Sequence, residues 1–184
     1  MIETEWFWIK KDPDAPSISD AAGFNRKKYP YFTDAESFAK VDDDVAYYEA
    51  KGNFLACDFL FEPTFLINDR LQSIFKFIEP KLEFKGVQLY SARNAEKSAT
   101  PLYWLPYLEF TDAISETSKI VQGKPEKLIF KADALCEKRL VHCKTAASDI
   151  WALSLEAAER LLRRQPVGAL LQKIPLTLAQ DSKI

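Results

Sequence analysis

The clearest indication of the fold is a stretch in the last third of the chain, Asp149–Arg164, whose sequence is DIWALSLEAAERLLRR. Its first part is apolar and aromatic and predicts a short strand. Ser154 follows, and its hydroxyl suits a helix N-cap because it can accept a hydrogen bond from an unpaired amide of the first turn. Beyond Ser154, alanines and leucines recur at helical spacing. The stretch therefore predicts a strand that passes directly into a capped helix.

In the rest of the chain, short strand patterns outnumber helical ones. Strands are predicted at Glu3–Ile9, Val45–Glu49, Asn53–Phe61, Phe65–Ile67, Leu82–Tyr90, Leu102–Phe110, Lys127–Lys131, Arg139–Lys144, Asp149–Leu153 and Ala169–Ile174. Two further helices are predicted, with Thr33 or Asp34 and Asn68 as their N-caps. Pro106 predicts an edge position or a bulge in its strand. Because strands and helices do not alternate regularly, we expect an α+β fold with a mixed or mainly antiparallel sheet and a few packed helices.

Length and composition indicate an ordinary globular protein. The 184 residues suit one domain, in which 1–45 is an N-terminal segment packing on a core of 54–174. A hydrophobic fraction of 47% with 28% charged residues excludes disordered and fibrous classes. The net charge of −2 predicts no attraction to nucleic acid or anionic lipid. No signal peptide and no bilayer-length apolar run are apparent, so we expect a cytoplasmic protein that does not bind membranes.

The chain has one histidine, His142, and three cysteines, Cys57, Cys136 and Cys143. No Cys-x-x-Cys pair is present, and the neighbours His142 and Cys143 would point to opposite faces of a strand, away from a shared ion. We expect three buried thiols, no metal and no cofactor. A Cys–His catalytic pair would need Cys136 or Cys57 within hydrogen-bond reach of His142, and a third group such as Asp149 to orient the ring. The spacing of these residues does not require such a pair.

Asp69, Glu83 and Lys85 form the pattern closest to a metal-dependent site. They resemble the D…E-x-K residues of divalent-metal nucleases, where two carboxylates bind one ion and the lysine lies near the attacked phosphate. Alternating charges on the solvent face of a strand explain the same pattern without catalysis. A nuclease-like enzyme is therefore an alternative, and it requires the three groups to converge.

The densest acidic stretch is Asp42-Asp43-Asp44, with Glu49 close behind. A run of this length is typical of a solvated loop. It also suits a basic protein partner, because complementary charge speeds encounter and disfavours wrong partners. We take Asp42, Asp43, Asp44 and Glu49 as candidate partner-binding residues, and expect that reversing the three aspartate charges weakens binding with thermal stability nearly unchanged.

Two segments resemble a bacterial protein family. The first comprises Phe65–Leu71, FLINDRL, and Leu82–Leu89, LEFKGVQL; the second is Asp149–Arg164, with Gly168 just after it. Together they are similar to the immunity-protein-related domains of bacterial polymorphic toxin systems, many of which have unknown function. The resemblance covers roughly Phe54–Ile174 and includes no known catalytic residue. It implies a cytoplasmic protein that binds a cognate toxin domain and neutralises it.

The sequence therefore predicts a non-enzymatic binding protein whose partner is another protein. The nuclease-like enzyme is one alternative. A small-molecule-binding domain with a pocket between sheet and helices is another.

Overall fold

The computed structural model describes residues 5–15, 34–48, 57–62, 64–91 and 102–177. These residues group into two compact units. The first contains 5–10, 110–164 and 170–177; the second contains 11–15, 34–48, 57–62, 64–91, 102–109 and 165–169. One domain over residues 1–184 stays a prediction. None of the helices in these ranges is long and apolar enough to cross a membrane.

The secondary structure is α+β, as predicted. The strands are β1 (Trp6–Lys11), β2 (Asp44–Tyr48), β3 (Phe59–Leu60), β4 (Leu66–Asn68), β5 (Glu83–Ser91), β6 (Leu102–Tyr107), β7 (Lys119–Val121), β8 (Lys124–Lys127), β9 (Phe130–Lys131), β10 (Leu140–Lys144), β11 (Asp149–Ser154), β12 (Ala169–Ile174) and β13 (Leu176–Thr177). The α-helices are α1 (Ala35–Ala39), α2 (Asp69–Ile78) and α3 (Leu155–Leu162), and Asp133–Leu135 forms a 3₁₀ turn. The pairs β2–β5 and β9–β13 are parallel, and most others are antiparallel.

The first unit contains a four-stranded sheet with the order β10-β11-β1-β12. In this sheet Trp151 lies opposite His142, whereas Ala152 lies opposite Val141 and Trp8. Since successive side chains alternate between faces, the two sets lie on opposite faces. The Ala152 face packs into an apolar core that includes Val141 and Phe130.

The second unit contains a five-stranded sheet with the order β2-β5-β6-β4-β3. Directly paired residues share a face, so Val87 and Tyr103 lie on one face while Gly86 and Trp104 lie on the other. The Val87 face carries the core of this unit, with Phe38 stacked on Tyr107.

The three α-helices of the described residues begin at predicted N-caps. The side chains of Asp34, Asn68 and Ser154 each accept a hydrogen bond from an amide two or three residues later. The sequence identified these starts because capping is a local interaction.

Pro106 lies at an edge position, as predicted, although β6 is an inner strand, and no bulge is present there. Strand β6 lies between β5 and β4, and its pairing with β5 continues through Pro106 opposite Phe84. Strand β4 is short and pairs with β6 only at Tyr103 and Trp104. It ends before Pro106, where the missing amide hydrogen would otherwise be needed.

Candidate functional site

The most buried carboxylate in the described part of the chain is Asp58, which is 2% exposed. It lies just before β3, and both of its oxygens accept hydrogen bonds from the guanidinium of Arg70 in the first turn of α2. The amide of Val167 donates to the same carboxylate at 2.7 Å. The hydrogen bond to Asp58 raises the pKa of Arg70 above its usual value. Bidentate geometry with further donors is the condition under which burying an ion pair is tolerated.

The Asp58–Arg70 ion pair also forms hydrogen bonds with the segment 165–168. The amide of Asp58 donates to the carbonyl of Val167 at 2.8 Å, and Arg70 Nη2 donates to the carbonyl of Gln165 at 3.3 Å. Gly168 follows with φ at +101°, and a Cβ on it would stand 2.9 Å from the Cβ of Cys57. We call Asp58, Arg70 and residues 165–168 the Asp58 clamp. It joins three distant parts of the chain.

The Asp58 clamp is not among the features that the sequence predicts. The available signal was Asp58 itself, the one charged residue in the predicted strand Asn53–Phe61. A carboxylate in a buried strand needs a cationic or hydrogen-bonding partner. Of that strand, Phe59–Leu60 forms β3, and 53–56 lies outside the described residues.

The predicted acidic contact residues lie at the start of β2. Asp42 and Asp43 are exposed, and β2 begins at the next residue, Asp44. The side chain of Asp44 and the whole of Glu49 lie outside the described part of the structure. Asp43 Oδ1 accepts a hydrogen bond from the amide of Gly86 in β5 at 2.6 Å. Asp43 therefore ties β2 to β5, and charge reversal there should cost stability, contrary to the expectation for a solvated loop.

The structure does not bring Asp69, Glu83 and Lys85 together. Glu83 and Lys85 share the core-bearing face of β5. Asp69 instead accepts a hydrogen bond at 2.8 Å from the indole Nε1 of Trp104, which lies on the opposite face. The described residues also contain no group of three or more His, Cys, Asp or Glu side chains placed to bind a metal ion. The convergence that a nuclease-like site requires is therefore not observed.

Exposed carboxylates and half-buried aromatic rings meet on this opposite face. The ring of Phe84 packs edge-on against Trp104, with centroids 6.2 Å apart. Asp43 and Trp104 also lie on either side of Gly86. A Cβ built on Gly86 would stand 3.3 Å from Asp43 Oδ1 and 3.8 Å from the ring of Trp104. Asp69 is hydrogen-bonded to the same indole. We call Asp43, Asp69, Phe84 and Trp104 the Trp104 surface.

His142 and Asp149 are brought together, as a Cys–His site would have required. The His142 Nε2 lies 3.3 Å from Asp149 Oδ1, and the imidazole stacks on Trp151 with a centroid distance of 4.0 Å. Phe110 also contacts the ring, which is 9% exposed. Cys143 points to the opposite face of β10. The histidine thus forms a cross-strand packing cluster and has no neighbouring thiol on its own strand face.

The cysteines differ from one another, and the prediction of three buried thiols is wrong for Cys136. Cys57 and Cys143 are buried, but Cys136 is exposed where the turn Asp133–Leu135 ends. Burial raises the pKa of Cys143 to about 12. Burial, with the charge of Asp58 second, raises the pKa of Cys57.

Alkylation should therefore separate the thiols. The thiolate is the reactive form, and a raised pKa reduces its fraction at a given pH. With iodoacetamide at about pH 8, we expect the native protein to incorporate one label, at Cys136, and Cys57 and Cys143 to react only after denaturation. Peptide mass spectrometry locates the label, and Cys136→Ser is the control without rapid labelling. Native labelling of Cys143 as fast as Cys136 would contradict the structure.

Comparison with known proteins adds no family: the chain matches no protein-family model, and no curated protein is significantly similar to it in sequence.

Proposed function

We propose that this chain is a non-enzymatic immunity-type protein that binds a basic toxin domain in the bacterial cytoplasm. The observation that carries the proposal is the Trp104 surface next to exposed Asp42. Tryptophan is enriched among the residues that dominate binding energy at protein interfaces. Neighbouring carboxylates add steering of a basic partner and discrimination against acidic ones.

The use of the polar residues inside the fold supports a binding role. Asp58 and Arg70 neutralise each other in the Asp58 clamp, and His142 packs against aromatic rings. The Cys143 thiol is held protonated by burial. Asp58 and Arg70 belong to the unit that carries the Trp104 surface, and His142 and Cys143 are buried in the other unit. A toxin-blocking scaffold requires polar groups that are used in this way, for folding.

Co-expression tests the proposed function. A domain that is encoded beside this chain in its native genome, and that arrests growth when expressed alone, is expressed with and without the chain in a sensitive host. We expect growth to be restored and the two proteins to co-purify as a complex. Continued growth arrest, or loss of the toxin product by cleavage, would contradict a binding mechanism.

Charge reversal at Asp42 tests the role of the acidic residues. Asp42→Lys should slow association with the toxin domain and weaken its salt dependence, because the carboxylate attracts a basic partner before contact. Thermal stability should change by less than about 0.5 kcal/mol, as for an ordinary surface substitution. Surface plasmon resonance at several salt concentrations measures the association rate.

Glu109→Lys is the matched control, because Glu109 is an exposed carboxylate of the same unit outside the Trp104 surface. An equal loss of association rate in both variants would show that only net charge matters. That result would remove Asp42 from the contact residues.

A further inference from the structure

We infer that the Trp104 surface binds an arginine side chain of the protein partner, an inference that rests on the proposed function and specifies its contact. The group recognised is a planar guanidinium, which would stack on the indole of Trp104 and donate hydrogen bonds to Asp43 and Asp69. The geometry of these three side chains carries the inference.

The indole ring is held in one orientation. Trp104 lies on β6, an inner strand of the five-stranded sheet, and its Nε1 donates to Asp69 Oδ1 at 2.8 Å. Phe84 packs edge-on against the same ring at 6.2 Å. A ring fixed from two sides loses little conformational freedom when a ligand stacks on it. Tryptophan is also the aromatic side chain that attracts cations most strongly.

Each carboxylate is positioned through one oxygen. Asp43 Oδ1 accepts from the amide of Gly86 at 2.6 Å, and Asp69 Oδ1 accepts from Trp104. Within the described part of the chain these are the hydrogen bonds of the two carboxylates, and both use Oδ1. The Oδ2 atoms are therefore the acceptors that a bound cation would meet.

Among the residues that the structure describes, the charges around this surface favour a cation. The neighbouring base Arg70 is engaged by Asp58, and Lys85 lies on the opposite face of β5, with its ammonium 5.8 Å from the ring of Phe38. Asp42 adds a further exposed negative charge next to Asp43. The negative charges of the Trp104 surface are thus not neutralised by these bases.

An indole ring beside two carboxylates favours arginine over lysine. A guanidinium is flat, stacks on aromatic faces and carries five N–H donors in a fixed plane, so that it can meet two separate carboxylates while covering a ring. An ammonium group is compact and strongly hydrated, and has no flat face to place on the indole.

A peptide titration tests the inference without the toxin. The ¹⁵N-labelled chain is titrated with acetyl-Gly-Arg-Gly-amide. A second titration uses the peptide in which citrulline replaces arginine, because citrulline has the same shape without the charge. The chain has four tryptophans, so Trp104→Phe assigns the Trp104 indole signal in the ¹H–¹⁵N spectrum. We expect the Trp104 Nε1–H and Gly86 amide signals to shift saturably with the arginine peptide and to stay in place with the citrulline peptide.

Charge-removing variants complete the test. Asp69→Asn keeps an oxygen for the indole hydrogen bond but removes the charge, and should weaken arginine-peptide binding about fivefold. Glu109→Gln removes an exposed charge elsewhere on the unit and should leave binding unchanged. The same spectra show that each variant is folded.

The inference is overturned if the arginine peptide causes no shift, if the citrulline peptide causes the same shift, or if Asp69→Asn and Glu109→Gln behave alike. Toxin neutralisation with no response to the arginine peptide would remove this contact and leave the proposed function standing. A response to the peptide without toxin neutralisation would support the arginine site and contradict the proposed function.

Discussion

Arg70→Leu is expected to lower the free energy of unfolding by about 3 kcal/mol, because it leaves the carboxylate of Asp58 buried without its cation. Asp58 is 2% exposed and Arg70 supplies donors to both of its oxygens. This loss of unfolding free energy lies at the lower end of the range for breaking a buried ion pair. The reason is that the Arg70 side chain is half-exposed, so that water reaches the site. Urea denaturation followed by circular dichroism measures the change.

Two variants make this result specific to the Asp58 clamp. Asp58→Asn should cost less than Arg70→Leu, because the remaining guanidinium is partly solvated and the amide oxygen can still accept from Val167. Arg160→Leu removes an arginine from the exposed pair with Glu156 on α3 and should cost less than about 1 kcal/mol. Equal losses for Arg70→Leu and Arg160→Leu would refute a buried pair.

Gly168→Ala is expected to destabilise the protein by about 3 kcal/mol, from left-handed backbone strain together with steric overlap. Gly168 has φ at +101°, and an added Cβ would stand 2.9 Å from the Cβ of Cys57 and 3.0 Å from the carbonyl oxygen of Phe59. The second contact is with backbone, which cannot move aside without disturbing β3. Thermal and urea unfolding of the purified variant measure the loss.

Gly86→Ala is the control for this substitution. Its Cβ would meet Asp43 Oδ1 at 3.3 Å, and that atom ends a side chain that can rotate away. The cost should stay near 1 kcal/mol, the value of one weakened hydrogen bond. A Gly168→Ala variant as stable as Gly86→Ala would mean that residues 165–168 do not pack against Cys57 and Phe59 as described.

The first turn of α2 contributes one residue to the Asp58 clamp and the preceding residue to the Trp104 surface. Arg70 belongs to the Asp58 clamp, and the preceding residue, Asp69, positions the indole of Trp104. Arg70→Leu should therefore also perturb the Trp104 indole signal. Arg160→Leu, in the other unit, should leave that signal in place.

Local features of the fold could be predicted from the sequence. The starts of α2 and α3 follow from Asn68 and Ser154, because an N-cap interacts with amides only two or three residues away. The opposite orientations of His142 and Cys143 follow from the two-residue period of a strand. These features require no knowledge of distant residues.

The candidate site could be predicted only in part. Asp42 and Asp43 stand out as an acidic run, but the hydrogen bond from Gly86 to Asp43 joins residues 43 positions apart. Residue type groups Asp69 with Glu83 and Lys85, whereas strand register places Trp104 against it. Sequence spacing does not show which faces of two strands meet.

The sequence by itself determined the α+β class, the helix starts and the alternation of side chains along each strand, because these depend on contacts within a few residues. Tertiary structure alone decided the pairing of Asp58 with Arg70, the inner position of β6 and the grouping of Asp43, Asp69, Phe84 and Trp104. The physical reason is that burial and strand register bring together groups far apart in the chain, and many alternative pairings share the same local pattern.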